Sequence, residues 1–299
     1  MNRLFGPLAL VALFLGQPAV SHAQTMRMDG TSGPAATEAE APGYPQLSLR
    51  RELSVSVVGI GLLTWGARSV SEPPMVPSGG FDPGDIGWGA DRAVIGNTDV
   101  HADKLSDWTR NIAMALPFVV MLSTADPEAR WSGVGERSVV YAEAMATSLG
   151  LTLVGKTGSR RARPFVYLPI QERPDHPAYD VTRSRAFRSM PSGHSSSAWT
   201  GASLAMTEHL LLRPEAGSWE RLGVGLVGGA FAGATAALRV TAGQHFPSDV
   251  LAGAGVGIST GVILPLIHGG RRPLPPPRAW LEMFGGALGG ALVGVWVGG

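Results

Sequence analysis

The sequence of 299 residues contains no cysteine, so disulfides, thiolate catalysis and cysteine-ligated metals are all excluded. Charge is scarce too. Asp, Glu, Lys and Arg make up 16% of the chain, and 24 basic residues against 23 acidic ones leave a formal net charge of +1. A nucleic-acid binder needs a basic stripe to displace phosphate counterions, so no nucleic-acid partner is expected. No stretch alternates apolar and polar residues with the period of two that marks a half-buried strand, and no internal repeat goes beyond small-residue periodicity. An all-α fold is therefore expected.

Glycine is abundant, with 41 residues in a chain that is 44% hydrophobic and has a mean hydropathy of +0.13, a composition that leans toward membrane proteins. Residues 1–23 read as an export signal: Arg3, an apolar run over 4–16, and Ser21-His22-Ala23 as a small-x-small cleavage site. An uncleaved anchor or a first core helix is the other reading of that run, which is short for a span. Residues 24–50 carry Thr, Glu, Ala, Pro and Gly without apolar period and read as a flexible linker. The rest, 51–299, is expected to form one helical domain, a membrane-embedded bundle of about six core helices. Seven stretches qualify as helices: 53–70, 108–124 with Pro117 inside, 137–155 with Glu143, 195–212, 221–238, 250–268 and 281–297. Gly and Ala in 221–238 and 250–268 recur at spacings that let helix backbones approach closely. Residues 71–107 read as a long Pro/Gly/Asp-rich loop.

Three polar motifs interrupt this apolar background: KTGSRRARP (156–164), PSGH (191–194) and RVTAGQHFPSD (239–249). Lys156 and Arg163 are seven residues apart, so a continuing helix would put both on one face, although Pro164 disfavours helix at Arg163. Together they can hold a phosphate, Arg163 through its fork and Lys156 as a point charge; a solvated basic helix end is the alternative. PSGH has the form of a helix N-terminus. There the amides of Gly193 and His194 and the Ser192 hydroxyl can face an oxyanion with His194 beside it, unless the motif is simply a cap. In the third motif, Pro247 suits a first helical turn, with His245 just ahead and Asp249 within it. That separation lets Asp249 accept from one imidazole nitrogen and leaves the other for substrate; an Asp there can equally well just cap the helix. Arg239 ends an apolar helix and is either a cradle cation or a snorkelling side chain. The occurrence of all three in this order favours the chemical reading of each. No cluster has metal-ligand spacing, and Lys156, Arg163 and Arg239 can neutralise a transferring phosphoryl group, so no metal or cofactor is expected. His22, His101, His176, His209 and His268 are given no role.

The set resembles the three-part signature of the type 2 phosphatidic acid phosphatase and vanadium haloperoxidase superfamily: Lys-x6-Arg-Pro, Pro-Ser-Gly-His and Arg-x5-His-x3-Asp. The resemblance spans roughly residues 100–270. It implies an all-α core in which His245 attacks phosphorus to form a phosphohistidine, Asp249 orients it and His194 protonates the leaving group. Lys156, Arg163, Ser192, Gly193 and Arg239 would hold the phosphate. Leu238 stands where the signature usually has Ser. The implied activity is a metal-independent phosphatase acting on a phosphomonoester or diphosphate, a phosphorylated lipid or small phosphoester. The alternatives are a haloperoxidase with vanadate as cofactor, a soluble periplasmic non-specific acid phosphatase, and a lipid-binding protein with a dead site. The membrane members place the site on the extracytoplasmic face, here the periplasmic side of a bacterial inner membrane. Residues 125–136, 213–220 and 269–278, the last with Arg271, Arg272 and Arg278, then face the cytoplasm. A cleaved signal is at odds with 53–70 crossing once in that arrangement.

Overall fold

The structure, a computed structural model, describes residues 44–69, 72–270 and 272–298. The expected signal at 1–23, most of the expected linker at 24–50, and Arg271 lie outside them. All seven expected helices occur, joined by one short turn of helix. In chain order they are α1 (Leu49–Arg68), α2 (Gly89–Arg92), α3 (Val100–Thr124), α4 (Arg130–Ser159), α5 (Gly193–Leu212), α6 (Ser218–Thr241), α7 (Pro247–His268) and α8 (Pro277–Gly298). No strand occurs among the described residues.

The expected loop at 71–107 is shorter than its composition implied. Asp99 accepts from the amides of His101 and Ala102 and so starts α3 at Val100, placing His101 in a helical turn rather than a loop. This extension matters for the site, because it puts Asp103, Ser106, Asp107 and Arg110 on helix.

α5 is the central element, with nearly every residue from Ser195 to Leu211 buried. It packs on α3, α4, α6 and α7, while α8 lies along α6 and α1 along α4. Close approach depends on small residues. A Cβ on Gly257 of α7 would stand 2.3 Å from the Ser196 carbonyl oxygen of α5, and one on Gly229 of α6 would stand 1.9 Å from that of Ala287 on α8. α1 follows α4 for much of its length: Gly59 sits against Ala146 and Thr147, and Gly66 against Leu153.

The C-termini of α1, α4, α6 and α8 and the N-termini of α3, α5 and α7 share one end, which carries all three motifs. Toward the other end a buried ion pair ties α4 to α5. Arg137 binds Glu208 at 2.8 Å, with Tyr44 Oη donating to the same carboxylate at 3.1 Å. Glu143 stands 3.1 Å from His268 Nε2, a close approach without hydrogen-bond geometry. α4, α6, α7 and α8 are each long and apolar enough to cross a membrane. Their outer faces leave Leu251, Ile263, Leu281, Leu288 and Leu292 exposed. Exposed tryptophans bracket these faces, Trp65, Trp108 and Trp296 at the motif end and Trp131 and Trp219 at the other. Trp280, partly buried, joins the second group. Trp280 and Trp296 on α8 are separated by about 24 Å at 1.5 Å per residue, somewhat less than the ~30 Å of a hydrocarbon core. Two girdles of this kind are what membrane interfaces select.

Candidate active site

Each motif contributes a chain reversal. α4 carries Lys156 in its last turn and stops at Ser159, where Arg160 takes a left-handed conformation, φ 45°. Arg163 is therefore not on a continuing helix. It is extended, ψ 159°, because the ring of Pro164 excludes the helical region for the residue before it. The reversal still brings Arg163 back to the site, where its Nη1 donates to Gln244 Oε1 at 2.6 Å. Lys156 Nζ donates to the Arg188 carbonyl at 2.7 Å.

Ser192 caps α5, its hydroxyl accepting from the Ser195 amide at 3.4 Å. That leaves Gly193 and His194 in the first turn, where no preceding carbonyl reaches their amides. The motif is tied to α7 by the Ser192 amide, which donates to the Asp249 carbonyl at 2.9 Å. Gly193 adjoins Lys156: an added Cβ would stand 3.8 Å from Lys156 Cε.

After α6 the chain turns through Gly243, φ +63°, where a Cβ would fall 1.8 Å from the Asn97 carbonyl oxygen. The turn folds the amides of Gln244 and His245 onto the Arg239 carbonyl at 3.1 and 3.2 Å. Tyr179 braces it by donating to the Ala242 carbonyl at 2.9 Å, and burial, with nearby Asp103, pushes its hydroxyl up to about 12. Asp249, in the first turn of α7, accepts from the Phe246 amide at 2.8 Å, so the capping reading is realised. His245 Nδ1 lies 3.6 Å from Asp249 Oδ2, a contact rather than the expected hydrogen bond. The reason is competition. Ser189 Oγ donates to Oδ2 at 2.5 Å, and Arg161 Nη1 to Oδ1 at 2.7 Å.

The structure thus brings together Lys156, Arg163, Ser192, Gly193, His194, Arg239, His245 and Asp249. His245 is 1% exposed. Burial, then the charges of Arg163, Lys156 and Arg239, hold its imidazole well below the ordinary value and keep the ring neutral. Arg239 Nη1 is held by Asp103 and by Ser106 Oγ at 3.2 Å, while its buried Nε has no partner among the described residues.

Other residues of the site escape motif reading. His194 Nε2 lies 2.8 Å from Asp107 Oδ1 and 2.9 Å from Arg110 Nη1. One nitrogen cannot serve both: protonated it donates to Asp107, deprotonated it accepts from Arg110. Burial, then the charges of Arg239, Arg110, His245 and Arg163, hold the His194 ring well below its ordinary value, so it is neutral in the empty site, with Asp107 placed to accept from it once it takes up a proton. Asp103, Asp107 and Arg110 are spaced i, i+4, i+7, a helical face that was hidden because Asp103 and Asp107 fall in the stretch that reads as loop and only Arg110 in the expected helix. Arg161, in sequence only one of several basic residues, bridges Asp249 and the buried Asp91 at 2.7 Å each and lies over the Phe246 ring. Among the described residues no group of three or more His, Cys, Asp or Glu is arranged to hold a metal ion.

Residues 137–273 match the family model of the PAP2 superfamily, a segment that contains all three motifs but none of α3. No curated protein and no solved structure matches the chain.

Proposed function

We propose, on the match of residues 137–273 to the PAP2 superfamily model, that the chain is a metal-independent phosphatase working through a phosphohistidine on His245. The observation that carries this is the convergence of Lys156, Arg163 and Arg239 on a buried imidazole that their charges keep neutral. A phosphate dianion in this cradle meets those cations, the Ser192 hydroxyl and the amides of Gly193 and His194. The free nitrogen of His245 attacks phosphorus, the bond to the leaving oxygen breaks, and that oxygen takes the proton from His194. Asp249, 3.6 Å from Nδ1, balances the charge that develops on the His245 ring. Water then attacks the phosphohistidine and gives a proton to His194, releasing phosphate and restoring both rings. The cradle's cations supply the charge neutralisation for which other phosphatases use a metal.

The substrate we propose is a phosphorylated lipid, taken at the membrane surface on the extracytoplasmic side. Supporting this are the apolar outer faces of α6, α7 and α8, the two tryptophan girdles, and the position of the site at one girdle. Arg130, Arg213, Arg272 and Arg278 then lie on the cytoplasmic side. α1 runs with α4, so Tyr44 and Gln46 lie on the cytoplasmic side too; this favours the reading in which the first apolar segment is an anchor rather than a removed signal.

The test is phosphate release from phosphatidic acid, an isoprenyl diphosphate, lipid A and soluble monoesters, with and without EDTA. Release that survives EDTA and disappears in His245→Ala is expected. Equal release by His245→Ala would end the mechanism. Vanadate-dependent halide oxidation without phosphate release would transfer the site to peroxidase chemistry.

A further inference from the structure

The cradle holds more positive charge than one phosphoryl group can use. Lys156, Arg163, Arg185, Arg188 and Arg239 stand around it. Asp103 neutralises Arg239, and Asp249 is engaged by Arg161. Four cations are left without a carboxylate partner among the described residues. A phosphomonoester brings a charge of about −2 and a diphosphate about −3, so a single phosphate leaves the site strongly cationic.

The extra cations are placed by the chain. The segment 184–189 is stitched to the first motif: the Arg163 amide donates to the Ala186 carbonyl at 2.8 Å and the Ser189 amide to the Arg161 carbonyl at 3.0 Å. Arg163 Nε donates to the Arg185 carbonyl at 2.9 Å, as Lys156 Nζ does to that of Arg188. Arg185 therefore stands beside Arg163, and Arg188 beside Lys156, close enough for their charges to act on one another.

Like charges held this close would normally be relieved by partners. Here Nε and Nη2 of both Arg185 and Arg188 are buried with no hydrogen-bond partner among the described residues. Leaving such donors unmatched is costly, and more so for charged groups. Beside Arg188 is a cleft of about 260 Å³ that it shares with Lys156, Thr157 and Arg160, while Arg185 stands outside the cleft, next to Arg163. The one carboxylate lining the cleft, Glu72, is exposed.

We propose that Arg188 and Lys156 at this cleft, with the unpartnered Arg185 between it and Arg163, form a second anion subsite that holds one phosphate of a terminal diphosphate while the other is placed for attack. This rests on the phosphatase reading for its catalytic meaning but not for the binding it predicts. In either order the bond that breaks is the one to the bridging oxygen, which leaves with the proton of His194: attack at the terminal phosphorus expels the monophosphate and water then frees inorganic phosphate from His245, and attack at the inner phosphorus expels inorganic phosphate and water then frees the monophosphate.

The experiment has two arms on the full-length, detergent-solubilised protein. The first measures binding of methylenediphosphonate and of methylphosphonate by calorimetry, which needs no turnover. The wild type is expected to prefer the diphosphonate at least tenfold, and Arg185→Gln/Arg188→Gln to lose that preference. Arg188→Lys, keeping the charge without the fork, should lie between. Equal affinity in the wild type, or an unchanged preference in the double variant while it still binds methylphosphonate, overturns the subsite. Should the double variant fold poorly, the wild-type ratio and Arg188→Lys decide alone.

The second arm compares phosphate release from a long-chain prenyl diphosphate, its monophosphate, and the short-chain dimethylallyl diphosphate. The ratio of diphosphate to monophosphate kcat/KM should fall at least tenfold in the double variant. Equal preference for long and short chains assigns the subsite to the diphosphate itself, and preference for the long chain adds the lipid; an unchanged ratio overturns the proposal. Diphosphonate binding without any phosphate release retains the subsite and ends the phosphatase reading, whereas release without discrimination does the opposite.

Discussion

His194 shows how much one proton depends on neighbours outside the motif. Asp107 holds the protonated ring and Arg110 the neutral one, so their balance sets the pH range in which His194 can donate. Asp107→Asn removes the charge that stabilises the imidazolium. The alkaline limb of kcat, which reports the complex in which the phosphate dianion raises His194 again, should move to lower pH, and turnover of an alkyl phosphate at neutral pH should fall about 10- to 100-fold. With p-nitrophenyl phosphate, whose leaving group needs no proton, the loss should be several-fold smaller; equal losses would show a purely structural role. His245 titrates in the opposite sense to a stabilising ion pair. Its ring stays neutral when folded, whereas the unfolded chain takes up a proton below about pH 6.5. Stability should therefore decline as pH falls below that value, and His245→Asn should flatten the slope in urea unfolding measured between pH 7 and 5. An unchanged slope would mean that the ring is already charged in the folded protein.

At the scale of elements, the packing rests on backbones meeting through small residues. α6 and α8 touch through Gly229 and Gly290, where added Cβ atoms would stand 1.9 and 2.0 Å from carbonyl oxygens of the partner helix. Gly229→Val must force the helices apart, and a fall in stability of at least about 3 kcal/mol is expected, read as a lower Tm. Gly289→Ala, one residue from Gly290 but facing open space, should raise stability by up to about 1 kcal/mol through helix propensity. If both substitutions behaved alike, the contact face of α8 would be wrong. The existence of α6 and α8 was legible in their apolar composition, and their closeness in the Gly and Ala spacing. Their start and end points were less so. α3 begins at Val100, not 108, because a single cap at Asp99 outweighs the loop-like composition before it.

For the whole molecule, orientation is the open consequence of the girdles. Leu274, exposed in the turn between α7 and α8, lies at the end opposite the motifs. With no native cysteine in the chain, Leu274→Cys should resist an impermeant thiol reagent applied to intact cells and react after permeabilisation, whereas Met75→Cys, 94% exposed just after α1, should label from outside. The reverse pattern would invert the site. Sequence alone determined the all-α class, the seven long helices and which eight residues of the three motifs are candidates for the site. Periodicity, caps and motif spacing are local properties that survive without a fold. Only the tertiary structure decided which partners those residues have: Asp249 against Arg161 and Ser189, Arg239 against Asp103, His194 against Asp107, and Arg185 and Arg188 beside the first motif. These contacts join residues 22 to 136 positions apart, and such pairings follow from how the chain packs, which no local pattern records.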